Sequence, residues 1–167
     1  MRIIYLALVP FLALAACSNS DSGSSSLGGS SSWDDTSASA EDQNDPKSRA
    51  YFEKTIGDRV FFDVDQYTLN ASAKMALDIQ AEWLRDNSAY VIIVEGHADE
   101  QGTREYNLAL GFRRAQSVQE YLVARGISGL RLKTRSYGKE RPIEICSVER
   151  CYAKNRRAVT LLTAGLN

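Results

Sequence analysis

Short apolar runs along the chain predict four β-strands. Residues 60–62 and 90–95 are rich in aromatic or β-branched side chains, and both runs are too short for ordinary helices. Gly96 ends the second run. Residues 132–137 and 156–162 have a similar apolar content, so they are predicted to form the third and fourth strands.

Two longer segments repeat their apolar residues at spacings of three and four, which is typical of helices with one buried face. The first covers residues 70–86 with Asn70 as its N-cap, and the second follows the 90–95 strand and stops at Gly126. The predicted inner faces are Ala73, Leu77, Ala81 and Leu84 in the first helix, and Leu108, Gly111, Ala115, Val118 and Leu122 in the second. The order βαβαββ predicts an α+β fold, a two-layer sandwich with the helices on one face of a mixed sheet and right-handed parallel crossovers.

The junction between the second strand and the second helix contains a candidate binding site. Asp99 lies just past the strand end, where loops between strands and helices commonly present ligand contacts. Asn107 and Arg114 lie about two helical turns apart, on a face beside the buried stripe. An acid and a base can therefore face one small cleft. The residues alone favour a simpler interpretation, in which Asp99 caps a turn or a helix and Arg114 forms a surface ion pair with Glu105 or Asp99.

Neither a catalytic centre nor a metal site is predicted. A hydrolase would need a nucleophile with a base, a metal cluster, or two carboxylates that flank the scissile bond. Asp63, Asp65 and Asp99 supply carboxylates, but nothing distinguishes two of them as an acid-base pair. His97, the only histidine, has two acids nearby, which is a poor metal-binding set, so we predict a hydrogen-bonded structural histidine. No cofactor is predicted.

The start of the chain predicts export and a lipid anchor. Residues 3–16 form an apolar run that is too short to span a bilayer and that ends in small residues, as in a signal peptide. Leu14-Ala15-Ala16-Cys17 resembles a bacterial lipobox, so Cys17 would be the lipidated first residue after cleavage. The alternative is a buried cysteine in a core helix. Ser18, rather than Asp, follows Cys17, which by resemblance to sorted lipoproteins implies the outer membrane.

The remainder divides into a tether and one domain. Residues 17–50 are rich in serine and acidic residues and almost lack apolar ones, so they are predicted to be disordered. This tether carries six acids against two bases. Residues 51–167 are enough for a single core, and they carry seventeen Lys and Arg against fifteen acids. So slight an excess does not argue for nucleic acid as a partner.

Five linked motifs identify a family resemblance. The chain from about residue 60 to 162 resembles the OmpA-like peptidoglycan-binding domain, which implies the same α+β fold. The motifs are Gly96-His97-Ala98-Asp99-Glu100, Asn107-Leu108-Ala109-Leu110-Gly111, Arg113-Arg114-Ala115, Ser136-Tyr137-Gly138-Lys139-Glu140-Arg141-Pro142 and Asn155-Arg156-Arg157-Ala158-Val159.

The resemblance implies a ligand, the meso-diaminopimelate residue in the peptide stem of peptidoglycan. The side-chain end of this residue carries an ammonium and a carboxylate on one carbon. Asp99 would accept from the ammonium, and Arg114 would bind the carboxylate through two hydrogen bonds. Asp65, Asn107 and Arg156 would add polar contacts, with Arg156 approaching from the start of the last strand. Such a protein would be a noncovalent anchor and not an enzyme.

The resemblance also implies an address and protein partners. The domain would face the periplasm from a lipid anchor in the outer membrane, join that membrane to the wall through many weak links, and support envelope integrity and constriction at cell division. TolB and other Tol proteins would be partners, with TolB competing for overlapping surface. Phe112 stands where the family often has an acidic residue, and Gln101 where it often has Arg. The alternative is an OmpA-like wall-binding lipoprotein that does not engage Tol proteins.

Two cysteines lie in the connection before the last predicted strand. Cys146 and Cys151 could pair in an oxidising periplasm, and we predict a disulfide between them. The alternative is two free thiols. A separation of the two Cα atoms well above about 7 Å would exclude the bond.

Overall fold

The computed structural model describes residues 44–164 of the chain. The predicted signal peptide, Cys17 and most of the predicted tether lie outside these residues, within which no helix is long and apolar enough to cross a membrane. The elements, in order, are α1 (Arg49–Tyr51), a π-helical segment (Phe52–Gly57), β1 (Arg59–Phe61), α2 (Ala71–Asp86), β2 (Tyr90–His97), α3 (Arg104–Ala124), a 3-10 turn (Gly129–Arg131), β3 (Leu132–Gly138), α4 (Glu149–Asn155) and β4 (Arg157–Ala164).

The strands form one mixed sheet in the order β1-β4-β2-β3. β2 and β3 are parallel and joined by the α3 crossover, whereas β4 runs antiparallel to both β1 and β2. Alternate residues along the strands pack with α2 and α3 into one hydrophobic core, which includes Val60, Ile92, Val94, Leu132, Ala158 and Leu162. The predicted α+β sandwich with helices on one face of a mixed sheet is therefore confirmed.

The two long helices follow their predicted apolar stripes. In α2 all four predicted inner residues are buried, and the side chain of Asn70 accepts a hydrogen bond from Ala73 N at 2.9 Å as the N-cap. In α3 the predicted stripe is buried except for Leu108, which is half-buried. The helix ends at Ala124, just before Gly126, which has a left-handed φ of 92°. The three-four apolar spacing was thus sufficient to place both helices.

Three features differ from the sequence prediction. The connection before β4 contains a seven-residue helix, α4, which has no three-four apolar repeat that could reveal it. A helical segment precedes β1. Ordered contacts also begin before Tyr51, where the domain was predicted to start, because Trp83 Nε1 donates to Pro46 O at 2.7 Å and Tyr90 OH donates to Lys47 O at 2.9 Å.

Close contact between α3 and the sheet fixes the region that follows β2. Gly96 in β2 faces Gly111 in α3 so closely that a Cβ added to Gly96 would lie 1.8 Å from Gly111 O. The Ser136 hydroxyl of β3 donates to Leu108 O at 2.7 Å. The first half of α3 therefore lies tightly against the carboxyl ends of β2 and β3.

A disulfide fixes the connection between β3 and β4. Cys146 and Cys151 are bonded, with their Cα atoms 5.9 Å apart, which lies within the usual range for disulfides. Cys151 belongs to the first turn of α4, and its side chain is buried. The bond therefore attaches the beginning of α4 to the chain that precedes it.

Candidate functional site

A cavity of about 270 Å³ lies at the carboxyl end of β2, between the loop after β1 and the first turns of α3. It is smaller than pockets for drug-sized ligands, and its volume suits one polar end of a larger molecule. Four of the five predicted binding residues line it: Asp65, Asp99, Asn107 and Arg114. The other lining residues are Val64, Gln101, Gly102, Tyr106 and Leu110.

Arg114 lies at the base of this cavity with 0% of its surface exposed. Its Nε donates to Gln66 O at 2.8 Å, Nη1 to His97 O at 2.8 Å, and Nη2 to Asp63 O at 3.3 Å. Arg114 flanks the buried stripe of α3 as predicted, but it is itself fully buried, so the alternative of a surface ion pair is wrong. The loop of residues 62–66 folds over the side chain, and helical spacing carries no information about that distant loop.

The charge of Arg114 survives its burial. Loss of solvent lowers the pKa of Arg114 to about 10, and the neighbouring carboxylates of Asp99 and Asp65 oppose that decrease. The guanidinium is therefore cationic at neutral pH. Three of its five N–H groups are used by backbone carbonyls, which leaves one N–H group on each Nη nitrogen without a backbone acceptor.

Asp99 supplies an almost completely buried carboxylate to the same cavity. Its Oδ1 accepts from Gln101 N at 3.2 Å, so the turn-capping interpretation is correct as far as it goes. Its Oδ2 accepts from Arg156 Nη1 at 3.2 Å. An ionised carboxylate can accept about four hydrogen bonds, so Asp99 retains capacity for a cationic group in the cavity.

Asp65 and Tyr106 meet at the mouth of the cavity. Asp65 has a left-handed backbone with φ of 58°, and its Oδ1 accepts a hydrogen bond from the Tyr106 hydroxyl. This bond raises the pKa of Tyr106. Nothing in the sequence pattern identified Tyr106, because it lies on the solvent side of α3 and belongs to no apolar repeat. Tyr106 thus restrains one of the two carboxylates.

Asn107 flanks the buried stripe of α3 as predicted, and it is fully buried. Its Nδ2 donates to Gln101 O at 2.8 Å, which ties α3 to the loop that carries Asp99. This contact and the close packing of α3 on the sheet account for the burial of Asn107. Asn107 therefore lines the cavity and also holds Gln101, another lining residue, in place.

Arg156 contacts Asp99 and is not among the residues that line the cavity. Its Nε donates to Phe62 O at 3.2 Å, and its other N–H groups bind Asp99 and Glu149. Burial opposes the charge, but the hydrogen bonds that Arg156 donates to Glu149 and Asp99 raise the pKa of Arg156. Arg156 is therefore joined to the cavity through Asp99, and its direct contact with a ligand stays a prediction.

His97 is buried with 2% of its surface exposed, and its ring stacks on Tyr137 with the ring centroids 5.6 Å apart. Burial, followed by the charges of Arg157 and Arg141, lowers the pKa of His97 to about 3, so the ring is neutral at physiological pH. Its Nδ1 has no hydrogen-bond partner among the described residues, and its Nε2 lies 3.9 Å from Glu95 Oε2, so the predicted hydrogen bond is not seen at Nδ1. Within residues 44–164, no three His, Cys, Asp or Glu side chains cluster as metal ligands would.

The cavity thus combines opposite charges at short range. Asp99 and Asp65 present oxygen acceptors, and Arg114 presents donors from the base. This arrangement can hold a small zwitterionic group, with its ammonium at the carboxylates and its carboxylate at the guanidinium.

Comparison with known proteins places the chain in a family. The sequence profile of the OmpA family matches residues 61–156. A peptidoglycan-associated lipoprotein of Mesorhizobium japonicum is 46% identical over 97% of this chain and 92% of its own length, and one of Rhizobium meliloti is 44% identical over 95% and 86%. These relatives are named as lipoproteins, without a catalytic activity.

Solved structures agree with the sequence relatives. The crystal structure of the peptidoglycan-associated lipoprotein from Burkholderia pseudomallei matches with a TM-score of 0.64 and 34% identity, over 73% of this chain and 99% of that one. The C-terminal domain of Helicobacter pylori MotB shares the fold, with a TM-score of 0.60 at 21% identity over 66% of this chain and 87% of that one. Taken with the profile match and the sequence relatives, the structure shows that this chain belongs to the OmpA family.

Proposed function

We propose that the protein is an outer-membrane lipoprotein that binds peptidoglycan noncovalently and tethers the membrane to the wall. The proposal rests on one observation above the others: a buried cation, Arg114, and two carboxylates line a single small cavity. The relatives named as peptidoglycan-associated lipoproteins support the same function.

The ligand group that fits this cavity is the side-chain end of meso-diaminopimelate in the peptide stem. Its ammonium would bind Asp99, and its carboxylate would accept from the two free N–H groups of Arg114. Asp65 would turn from Tyr106 towards the ammonium as the ligand enters. Asn107 would keep the loop of Asp99 in place, and Arg156 would orient Asp99 from behind.

The other parts of the chain would connect the binding domain to the outer membrane and to protein partners. Cys17 would carry the lipid anchor, the residues between Cys17 and the ordered contacts at Pro46 would form the tether, and the domain would face the periplasm. Participation in the Tol-Pal system, with TolB as a protein partner and a role in constriction at cell division, belongs to the same proposal. Phe112 is 44% exposed on α3, next to Arg113 and Arg114 in sequence, which suits contact with a protein.

The direct test of wall binding is co-sedimentation of the full chain, kept in solution with a mild detergent, with purified sacculi that contain meso-diaminopimelate. We expect the parent protein to pellet, and Asp99→Asn and Arg114→Lys to remain largely in the supernatant. Free meso-diaminopimelate should release the parent protein. Asp63→Asn is the matched control, because Asp63 is exposed in the neighbouring loop and does not line the cavity.

Failure of the parent protein to pellet would contradict wall binding, and equal pelleting of all variants would contradict this site.

Co-purification with TolB separates the Tol-linked function from the alternative of a wall-binding lipoprotein outside that system. We expect Phe112→Ser to reduce the recovery of TolB while leaving sedimentation with sacculi unchanged.

A further inference from the structure

The disulfide and the candidate site are connected through α4. The bond between Cys146 and Cys151 encloses Glu149, the first residue of α4, and Arg156 follows the last residue of the same helix. Glu149 and Arg156 bind each other, and Arg156 binds Asp99. A continuous series of contacts therefore runs from the disulfide to the carboxylate that faces the cavity.

The two ends of α4 are held by different means. At its C-terminal end, Asn155 Oδ1 accepts from Ile143 N at 2.9 Å, and Nδ2 donates to Glu144 O at 2.8 Å and to Glu100 Oε1 at 3.1 Å. At its N-terminal end, Val148 provides no side-chain cap. The disulfide to Cys151 is the covalent restraint at that end, so the position of Glu149 depends on it more than the position of Asn155 does.

Glu149 divides the guanidinium of Arg156 between two carboxylates. Nη2 of Arg156 donates to Glu149 Oε1, and Nη1 is shared between Glu149 Oε2 at 3.4 Å and Asp99 Oδ2 at 3.2 Å. Glu149 is an exposed side chain, at 66% of its surface, whereas Asp99 is nearly buried. Asp99 therefore receives one hydrogen bond, from a nitrogen that also contacts Glu149, rather than two hydrogen bonds from one edge of the guanidinium.

The contact of Arg156 with Glu149 affects how much negative charge Asp99 keeps for a ligand. Asp99 and Arg156 alone form a neutral pair, and without Glu149 the guanidinium could turn both Nη groups onto Asp99 in the bidentate geometry that arginine and carboxylate prefer. Asp99 would then have fewer free acceptor positions for a cationic ligand. With Glu149 included, the three groups carry one net negative charge.

We infer that Glu149, held in place by the Cys146–Cys151 disulfide, is a positioning residue that keeps Asp99 available to the ammonium of the ligand. This inference rests on the proposed function, because it assigns Asp99 to that ammonium. It also gives the disulfide a role in affinity, in addition to the stability that closing a loop provides.

The test measures the affinity of the full chain for a soluble stem peptide that contains meso-diaminopimelate. We expect Glu149→Gln to weaken binding roughly two- to fivefold, as for loss of an exposed charge contact. Glu144→Gln is the matched control. It removes the same charge from the same connection, but Glu144 pairs with Lys154 at 2.6 Å and has no contact with Arg156. Its affinity should equal that of the parent protein.

A double-mutant cycle separates positioning from simple stabilisation. Replacing both Cys146 and Cys151 by Ser, or reducing the parent protein, should weaken binding by less than Glu149→Gln does. Adding the two serines to Glu149→Gln should produce little further loss, because the disulfide acts through Glu149. Melting temperatures of each variant report on folding separately from affinity.

The outcomes are distinct. If the parent protein binds and Glu149→Gln behaves like Glu144→Gln, this inference is overturned while the proposed function stands. Fully additive losses would overturn the role of the disulfide in positioning. If the parent protein does not bind the peptide at all, the proposed function fails, and this inference fails with it. Should the serine variant not fold, the comparison of Glu149→Gln with Glu144→Gln still decides the role of Glu149.

Discussion

Two arginines hold the opposite ends of β2 in the same way. Arg114 donates to the carbonyls of Gln66, His97 and Asp63 at the carboxyl end. Arg131 donates to three carbonyls, those of Tyr90, Leu84 and Asn87, at 2.9, 3.1 and 2.9 Å at the amino end. Each guanidinium therefore ties a strand end to neighbouring loops by satisfying carbonyls that regular structure leaves unpaired.

The surroundings of these two arginines differ. Arg114 is fully buried and lines a cavity together with Asp99 and Asp65. Arg131 is only half-buried, and all of its hydrogen bonds that the structure describes go to backbone carbonyls. Burial lowers the pKa of both, but only for Arg114 do neighbouring carboxylates counteract the decrease. A buried arginine that binds carbonyls is thus a structural device, and the opposing acids and the cavity are what make one of the two a candidate site.

The close approach at the carboxyl end should have the largest effect on stability. Gly96→Ala would place a Cβ 1.8 Å from Gly111 O, so α3 would have to move away from β2. We expect the free energy of unfolding to fall by more than about 3 kcal/mol, as for severe overpacking. Urea unfolding measures this loss.

The control for that substitution is Gly126→Ala after α3. Gly126 has a φ of 92° with nothing within 4 Å of an added Cβ, so only backbone strain of about 1 kcal/mol is expected there. Equal losses of unfolding free energy in the two variants would show that the close packing of Gly96 on Gly111 does not hold α3 against the carboxyl end of β2.

Replacing Arg114 itself should affect both stability and binding. Arg114→Met keeps the length of the side chain but leaves three carbonyls without a donor, two of them at 2.8 Å from the present one. We expect a loss of about 3 kcal/mol in the free energy of unfolding, as for buried polar groups left unsatisfied, and no measurable binding to sacculi. Binding that persists in the folded variant would contradict the role of Arg114 in the site.

Local pattern and distant packing account for what the sequence could and could not predict. The stripe of Ala73, Leu77, Ala81 and Leu84 is a property of consecutive residues, so spacing alone identified α2 and its buried face. The same spacing places Arg114 at the edge of the buried stripe of α3, but it cannot predict how deeply Arg114 is buried, because that depth is set by a loop some fifty residues earlier in the chain. α4 was missed since it is short and is held by the disulfide and Asn155, not by an apolar face.

The site was predictable only in part for the same reason. The junction between strand and helix indicated Asp99, Asn107 and Arg114, the family resemblance added Asp65, and the structure brings these four together around one cavity. They could not indicate that Arg156 contacts Asp99 without lining the cavity, or that Tyr106 binds Asp65. Both contacts join residues more than forty positions apart.

The histidine at the carboxyl end of β2 predicts a pH dependence. Folded His97 has a pKa of about 3 against about 6.5 in the unfolded chain, so between these values the unfolded state binds a proton that the folded state does not. Stability from this residue is complete above pH 6.5 and is lost as the pH falls towards 3. At pH 5 the loss should be about 2 kcal/mol.

Urea unfolding at pH 7 and pH 5 checks this prediction, with His97→Gln as the comparison. The carboxylates titrate in both proteins, so the difference between their pH dependences isolates the imidazole. The variant should lose about 2 kcal/mol less than the parent protein over this interval. If the unfolding free energies of the two proteins changed equally between pH 7 and pH 5, His97 would have to be charged at pH 5 in the folded protein as it is in the unfolded chain.

The smallest effect is expected at the amino end of β2. Arg131→Met removes the same number of carbonyl contacts as Arg114→Met, but Arg131 is half-buried, so water can reach the carbonyls that it leaves. We expect the free energy of unfolding to fall by only about 1 kcal/mol, and binding to sacculi to be unchanged. If Arg131→Met also lost binding, the two ends of the strand would not be independent. The distinction between a structural arginine and a ligand-binding one would then have to be abandoned, because both would act by holding β2 in place.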